Sequence, residues 1–280
     1  MNNPFINARQ RAESSTDSHQ ELNQNWWETL PMTYAEWHAA DRKARTVEDF
    51  LAIENYVYQT GPFFREEYDF STQYGRKILD IGSGSGVFSC LFASQGGKVF
   101  SIDLTDAAVK MTKMNARLRN LKVHVLRGNA ESLPLSSNVF DYVFSWGVLH
   151  HTRSMEAAVA EAGRVLKTGG QGLIMVYHRQ SIVYYIHGLY WLLFKGKLFQ
   201  GHNLQTVQNF YTDGYFHRYL SRAELRWMLN DAGLEVTKIF ATQYEKKILP
   251  WIPNFIDRQL KAWFGMCVVA EFRKLESDEI

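Results

Sequence analysis

A doubly wound α/β fold with a mostly parallel sheet is predicted by three observations. Short apolar runs alternate with amphipathic stretches between Lys77 and Tyr177. The first run, Ile78–Ile81, opens into Gly82-Ser83-Gly84-Ser85-Gly86, and Val87–Ala93 then shows the apolar spacing of a helix. The second run, Lys98–Ile102, ends on a carboxylate, Asp103. Strand, glycine turn and helix is the usual opening of a nucleotide-type site in an open α/β sheet. Glycine lacks a Cβ, so the backbone can turn tightly and approach a ligand. The first N–H groups of the following helix then face an anionic part of that ligand. An acid at the tip of the second strand is in register to accept two neighbouring ribose hydroxyls.

The elements follow in order. Residues 1–24 are rich in Asn, Gln, Ser and Asp and read as a polar tail. Residues 26–37 hold Trp26, Trp27, Tyr34 and Trp37, too many large rings to leave in water. This stretch either packs over the core or forms a lid on the ligand cleft, with Tyr34 or a tryptophan touching ligand. An apolar helical face recurs from Thr46 to Tyr58, and Gly61-Pro62 breaks it. Strands are expected at 77–81, 98–102, 123–126, 142–145 and 172–177. Helices are expected at 86–94, 106–118 and 154–166, the last capped by Ser154. Right-handed crossovers bring the strand C-terminal ends to one edge, where ligands bind.

Residues 179–220 interrupt the alternation. Ile182–Phe194 is intensely apolar and aromatic, and Lys195 and Lys197 follow it. It is shorter than the roughly 20 residues of a membrane-crossing helix. Three readings stay open: a buried cap helix, a wall of the substrate pocket, or a helix lying on a membrane surface. Ser221–Glu224 is a capping box, and the helix it opens ends at Ala232-Gly233. Strands at 234–241 and 266–272 complete the pattern. The expected division is thus 1–72, tail and lid; 73–178, ligand-binding core; 179–220, aromatic cap; 221–280, closing helix and hairpin.

Composition narrows the function. The chain has 280 residues, 46% of them hydrophobic and 14% aromatic, enough for a full core with rings to spare for a site. A formal net charge of +2 argues against a dedicated nucleic-acid binder, which carries a basic stripe. Cys90 and Cys267 read as buried thiols, and no Cys/His spacing suggests a metal. The stretch after Met1 lacks a basic-then-apolar leader pattern, so a cytoplasmic location is expected.

The glycine turn and Asp103, with Gly128-Asn129-Ala130-Glu131, Leu133-Pro134-Leu135, Phe140–Ser145 and Arg164–Gly170, keep the order of blocks of a known family. The chain resembles the class I S-adenosylmethionine-dependent methyltransferases, strongly over about residues 75–178. The resemblance implies a seven-stranded Rossmann-like sheet with a C-terminal antiparallel hairpin. It also implies S-adenosylmethionine as cofactor. Gly82, Ser83, Gly84 and Gly86 would pass the amino-acid tail and ribose, and Asp80 would fix the loop and receive the ammonium group. Asp103 would take the ribose hydroxyls, and Leu104 would pack on adenine. Asn129, where the family usually has an acid, would accept the adenine amino group through its carbonyl. Ala130 would offer a backbone N–H, Glu131 belongs to the same block, and Ser145 and Trp146 would border the methionine.

Methyl transfer then needs an acceptor held in line, and a base if that acceptor is a hydroxyl. His150 and His178 are the candidate bases, since they follow strands four and five. His151, with His217 and Arg218 of the polar group that also holds Asp213, is a candidate substrate contact. Adjacent side chains usually diverge, so at most one of His150 and His151 is expected to face substrate. The sequence therefore reads as a methyltransferase acting on a small aromatic or apolar acceptor, oxygen first, with carbon and nitrogen open. Three rivals are an NAD(P)-dependent oxidoreductase, a non-catalytic scaffold of the same fold, and a tRNA or protein methyltransferase.

Overall fold

A computed structural model describes residues 19–29, 44–242 and 251–276. Tyr34 and Trp37 of the expected lid lie outside the described residues. The strands are β1 (Lys77–Ile81), β2 (Lys98–Asp103), β3 (Val123–Arg127), β4 (Phe140–Trp146), β5 (Leu166–Tyr177), β6 (Leu234–Thr242) and β7 (Cys267–Lys274). They form one seven-stranded sheet in the order β3-β2-β1-β4-β5-β7-β6. β1 to β5 pair in parallel, and β7 runs antiparallel to both β5 and β6. The strand order reverses between β1 and β4, so a crevice opens at their C-terminal ends.

Side-chain alternation divides the core into two layers. Leu79 and Ile81 of β1, Val143 of β4 and Ile174 and Val176 of β5 face α6 (Met155–Val165) and α8 (Arg222–Asp231). Ile78, Phe144, Leu173 and Met175 face the other way. They pack on α2 (Val47–Thr60), α3 (Pro62–Glu66) and α4 (Val87–Ser94). Ring contacts fill this second layer: Phe64 lies 4.1 Å from Trp146 and 4.8 Å from Phe88 between centroids. A fully buried ring such as Phe64 contributes roughly 1.5–3 kcal/mol of transfer free energy, and the half-buried Trp146 and Phe88 contribute less.

Helix ends follow local chemistry. Thr46 and Asp49 exchange side-chain and backbone bonds at the start of α2, and Ser221 and Glu224 do the same at α8. Thr105 caps α5 (Asp106–Leu118), and Ser154 caps α6. β5 differs from expectation. It begins at Leu166, which pairs with Phe140, and pairing resumes at Gln171 opposite Tyr142 after a shift in register. Gly169, at φ +71°, makes the detour with a backbone angle that other residues resist.

The cap region also differs. α7 (Ile182–Leu193) buries only one face, that of Tyr184, Gly188 and Leu192, and so it is not a fully buried cap. That face rests on the turn Thr206–Phe210, with Gln208 Nε2 donating to the Tyr184 carbonyl at 3.3 Å. α1 (His19–Thr29) and α9 (Asn254–Phe264) complete the α-helices of the described residues. No helix of the described residues is long and apolar enough to cross a membrane.

Gly172 lies in mid-sheet, where a Cβ would come within 2.4 Å of the Phe272 ring and 2.7 Å of the Val143 carbonyl oxygen. Gly172→Ala should destabilise the protein by about 1–3 kcal/mol through overpacking. Denaturant unfolding of the variant should show a lower midpoint at unchanged slope.

Candidate functional site

The turn after β1 is built from left-handed glycines: Gly82, Gly84 and Gly86 have φ of +84°, +52° and +77°. Two of them are also closely faced. A Cβ on Gly82 would lie 2.1 Å from Val148, and one on Gly86 would lie 2.8 Å from the Thr112 Cα. The turn hangs on β2. Gly82 N–H donates to the Ile102 carbonyl at 2.7 Å, and Gly84 N–H donates to Asp103 Oδ2 at 3.0 Å. Asp103 Oδ1 takes the Thr105 N–H and hydroxyl, both at 3.0 Å, so one carboxylate links the turn to the start of α5. Burial raises the Asp103 carboxyl above its ordinary range, against these bonds.

Asp80 sits beneath the turn, 1% exposed, and accepts the Ser89 hydroxyl of α4 at 2.5 Å. Ser89 also meets Ser101 of β2 at 2.6 Å. Burial pushes the Asp80 carboxyl up to about 7, the Ser89 bond opposing and the Asp103 charge adding. Thr112 of α5 donates to Ser83 Oγ at 3.0 Å, and Asn115 Nδ2 donates to the Ser85 carbonyl at 3.0 Å. Residue-by-residue reading missed Ser89, Ser101, Thr112 and Asn115. Their only sequence signal is a polar residue on a helix or strand face that otherwise turns inward.

The Asn129 block joins the same edge. Gly128 N–H donates to the Asp103 carbonyl at 2.9 Å, and Leu104 is half-buried beside it. Asn129 Oδ1 accepts the Glu131 N–H at 3.0 Å, with Ala130 between them, and Glu131 Oε1 accepts the Arg153 N–H at 2.8 Å. Ser145 Oγ donates to the Ile81 carbonyl at 3.1 Å and locks β4 to β1. Trp146 packs into the aromatic layer, stacked on Phe63 at 5.8 Å.

Beyond β4, Leu149–His151 forms a single 3-10 turn. The His150 and His151 rings do not diverge. Their centroids are 4.1 Å apart, and both meet Tyr177 of β5, at 4.0 and 5.7 Å. His151 Nδ1 lies 2.8 Å from the Phe216 carbonyl. A carbonyl can only accept, so Nδ1 carries the proton and Nε2 keeps its lone pair. Among the described residues that Nε2 and both ring nitrogens of His150 have no hydrogen-bond partner, although all are buried. Burial holds His150 well below the usual histidine range, and His151 and His217 add to the effect. Burial lowers His151 as well, while Asp213 and the Phe216 bond pull it back.

The segment 212–219 closes over these rings. Tyr177 donates its hydroxyl to Asp213, whose second carboxylate oxygen is buried without a partner among the described residues. Thr212 and the Tyr219 hydroxyl meet at 2.7 Å, and His217 packs edge-on against Tyr219. Gly214, at φ +83°, leaves room for His151, for a Cβ there would reach 2.4 Å from Nδ1. α1 covers the other side: Asn23 Nδ2 donates to the His151 carbonyl at 2.9 Å, and Trp27 lies 5.0 Å from the His151 ring. Glu28 accepts the Ala107 N–H at the head of α5, so α1 spans from the Asp103 side to the histidines. Asn23, Tyr177 and Tyr219 were not singled out from sequence.

Two candidates stand apart. Tyr177 and His178 are consecutive in an extended chain and point to opposite faces. His178 accordingly turns from the other histidines, with Nδ1 2.9 Å from the Gly265 carbonyl beside β7. Arg218 reaches the rim, where its guanidinium bonds the Arg153 carbonyl and Glu156 and its backbone N–H donates to the His150 carbonyl. It anchors the 212–219 segment from outside.

A family model described as a methyltransferase domain matches residues 79–174. A ubiquinone/menaquinone biosynthesis C-methyltransferase of Cronobacter sakazakii is 30% identical over 178 residues, 58% of this chain and 67% of the relative. The chain belongs to the class I S-adenosylmethionine-dependent methyltransferases. A ubiquinone biosynthesis O-methyltransferase of Nitrosospira multiformis is 25% identical to this methyltransferase over 173 residues, covering 61% of it and 67% of the relative. Solved structures share the fold. Magnesium protoporphyrin IX methyltransferase of Synechocystis, with bound S-adenosylhomocysteine, aligns with TM-score 0.56 and 15% identity over 90% of this chain and 97% of its own. S-adenosylmethionine is accordingly the methyltransferase's cofactor, and the oxidoreductase reading falls. A carboxylate beside a tight glycine turn suits the ribose and amino-acid tail of that molecule. No group of His, Cys, Asp and Glu among the described residues could hold a metal.

The Asp80 environment gives this methyltransferase a testable pH dependence. Folding raises its carboxyl from 3.8 to about 7, so the folded state favours the protonated form. The associated stability is complete below the ordinary carboxyl pKa and is lost as pH rises through about 7. Without cofactor, Asp80→Asn should flatten the decline in stability across that window, read as denaturant midpoint against pH.

Proposed function

We propose that the enzyme methylates a small, apolar or aromatic acceptor bearing a hydroxyl, with oxygen as the receiving atom. The observation that carries this reading is the buried histidine–tyrosine group at the ends of β4 and β5, adjoining the glycine turn through Val148. Rings from Trp27, Tyr177 and Tyr219 around it suit a flat, apolar molecule. The near-neutral charge speaks against nucleic acid as acceptor. A cytoplasmic protein handling such a molecule fits the same picture.

In this reading Asp103 accepts the ribose hydroxyls, Leu104 and the Asn129-Ala130-Glu131 block border adenine, and Gly82–Gly86 cradle the amino-acid tail at the head of α4. Asp80 steadies that cradle through Ser89. Ser145 and Trp146 bound the methionine side. The bound cofactor supplies an electrophilic methyl group on a sulfonium leaving group. His151 is the preferred base over His150, because its tautomer is fixed with Nε2 as acceptor. Nε2 takes the hydroxyl proton. The acceptor oxygen would then be free to receive that methyl group, the electron pair of the broken carbon–sulfur bond staying on sulfur, and solvent would take the proton from His151. His150 and His217 line the acceptor, and Tyr177 with Asp213 holds His150 in place. His178 serves the β7 junction in this scheme, and Arg218 the rim.

A second reading has methyl transfer to a ring carbon. A phenol deprotonated by the same base is nucleophilic at carbon too, and the C-methyltransferase relative favours this outcome. The NMR spectrum of the product separates the two.

His151→Asn should lower kcat by about 10²–10⁴-fold while leaving S-adenosylhomocysteine affinity unchanged in calorimetry. Its parent should keep full kcat/KM to below the ordinary histidine pKa, because burial lowers the base and the neutral form is the active one. Should His151→Asn turn over normally, the base assignment is wrong. Asp103→Asn should weaken S-adenosylhomocysteine binding by about 10–100-fold, the worth of bonds to a charged acceptor. Unchanged affinity would remove Asp103 from the ribose.

A further inference from the structure

α7 is apolar apart from tyrosine hydroxyls and the exposed His187, yet only half of it is covered. Its inner face, Tyr184, Gly188 and Leu192, rests on the cap turn. Its outer face presents Ile186 at 59% exposure, Leu189 at 46%, Tyr190 at 46% and Leu193 at 56%. The turn that follows adds Phe194 at 80% and Phe199 at 90%. Large apolar side chains clustered on one exposed face of a helix mark a surface that takes a partner, and His187 is the one basic group among them.

Charge says which partner. From Arg179 to Thr212 the chain has no carboxylate; Arg179 is paired with Glu224 of α8, which leaves Lys195 and Lys197 as the cations beside the exposed face. Lys195 and Lys197 stand immediately beside the most exposed rings, their ammonium groups over Tyr190 and Phe210. Apolar and aromatic side chains flanked by lysines, without acids, suit the headgroup region of a bilayer with anionic lipid. A second copy of this segment would offer the lysines no counter-charge.

We propose that the outer face of α7 and the turn through Phe199 dock on an anionic lipid membrane surface. The helix lies in the interface and does not span it. The placement has a functional sense that rests on the reading of the acceptor site given above. Tyr184, on the inner face of α7, lies 4.9 Å from Tyr219, which lies 5.5 Å from Tyr177, which lies 4.0 Å from His150. The docking face thus backs directly onto the acceptor site, and a lipid-soluble acceptor would leave the bilayer next to it.

Vesicle flotation tests the surface by itself. The full chain should float with vesicles of phosphatidylcholine and phosphatidylglycerol, float less with phosphatidylcholine alone, and detach as salt is raised. Phe194→Ser with Phe199→Ser should cut partitioning roughly tenfold or more, and Lys195→Glu with Lys197→Glu should abolish the preference for anionic lipid. Phe194, Phe199 and Lys195 are exposed and Lys197 is half-buried over Phe210, so unchanged S-adenosylhomocysteine binding and melting temperature will report an intact fold. Absence of flotation with anionic vesicles overturns the proposal, as does flotation indifferent to both pairs. A dimer in gel filtration that the serine pair dissolves would assign the face to a second copy and likewise overturn it. Turnover of a water-soluble acceptor should be the same in the serine pair, so a failed flotation leaves the catalytic reading standing on its own tests.

Discussion

The bond from the Gly84 N–H to the Asp103 carboxylate is the constraint on which the site depends. It joins the turn after β1 to the tip of β2, and through Thr105 the same carboxylate starts α5. A turn of three left-handed glycines has little conformational preference of its own, because each samples both halves of backbone space. Its shape must come from neighbours. Ile102 and Asp103 supply them from one side, and Thr112 and Asn115 from the other. The cradle is rigid because two strands and a helix converge on it, and its backbone remains bare enough for close approach.

The second half of the edge is organised differently. Around His150 and His151 the chain buries polar atoms that its described residues do not satisfy, among them the second oxygen of Asp213. Such groups are costly inside a protein unless something pairs with them. In the proposed reading, an acceptor bound at the strand ends, between the cover of α1 and the 212–219 segment, repays that cost. The same burial keeps both imidazoles neutral near pH 7, with lone pairs available.

How much of this the sequence disclosed depends on distance along the chain. The sheet was legible because each strand announces itself locally as an apolar run between turn residues. The meeting of turn and acid followed as well, since Ile81 and Ile102 are partners in parallel strands and the next residues must be neighbours. Contacts such as Asn23 with His151, 128 residues apart, leave no local trace. The divergence of Tyr177 and His178 was available from the pleat alone, since Tyr177 ends β5 and His178 comes next. For His150 and His151 the pleat was the wrong guide, because a 3-10 turn replaces it and Tyr177 gathers both rings. α7 shows the limit of composition: an apolar stretch states that it avoids water, not what shields it.

β7 sits between β5 and the edge strand β6, so the segment Cys267–Lys274 fills an inner place in the sheet although it is made late. During synthesis β5 must wait with an open hydrogen-bonding edge and an apolar face until that segment leaves the ribosome. The order of translation thus delays closure of the molecule to its final strand, and a chain released early would expose a sticky β5 border ready to pair with another chain.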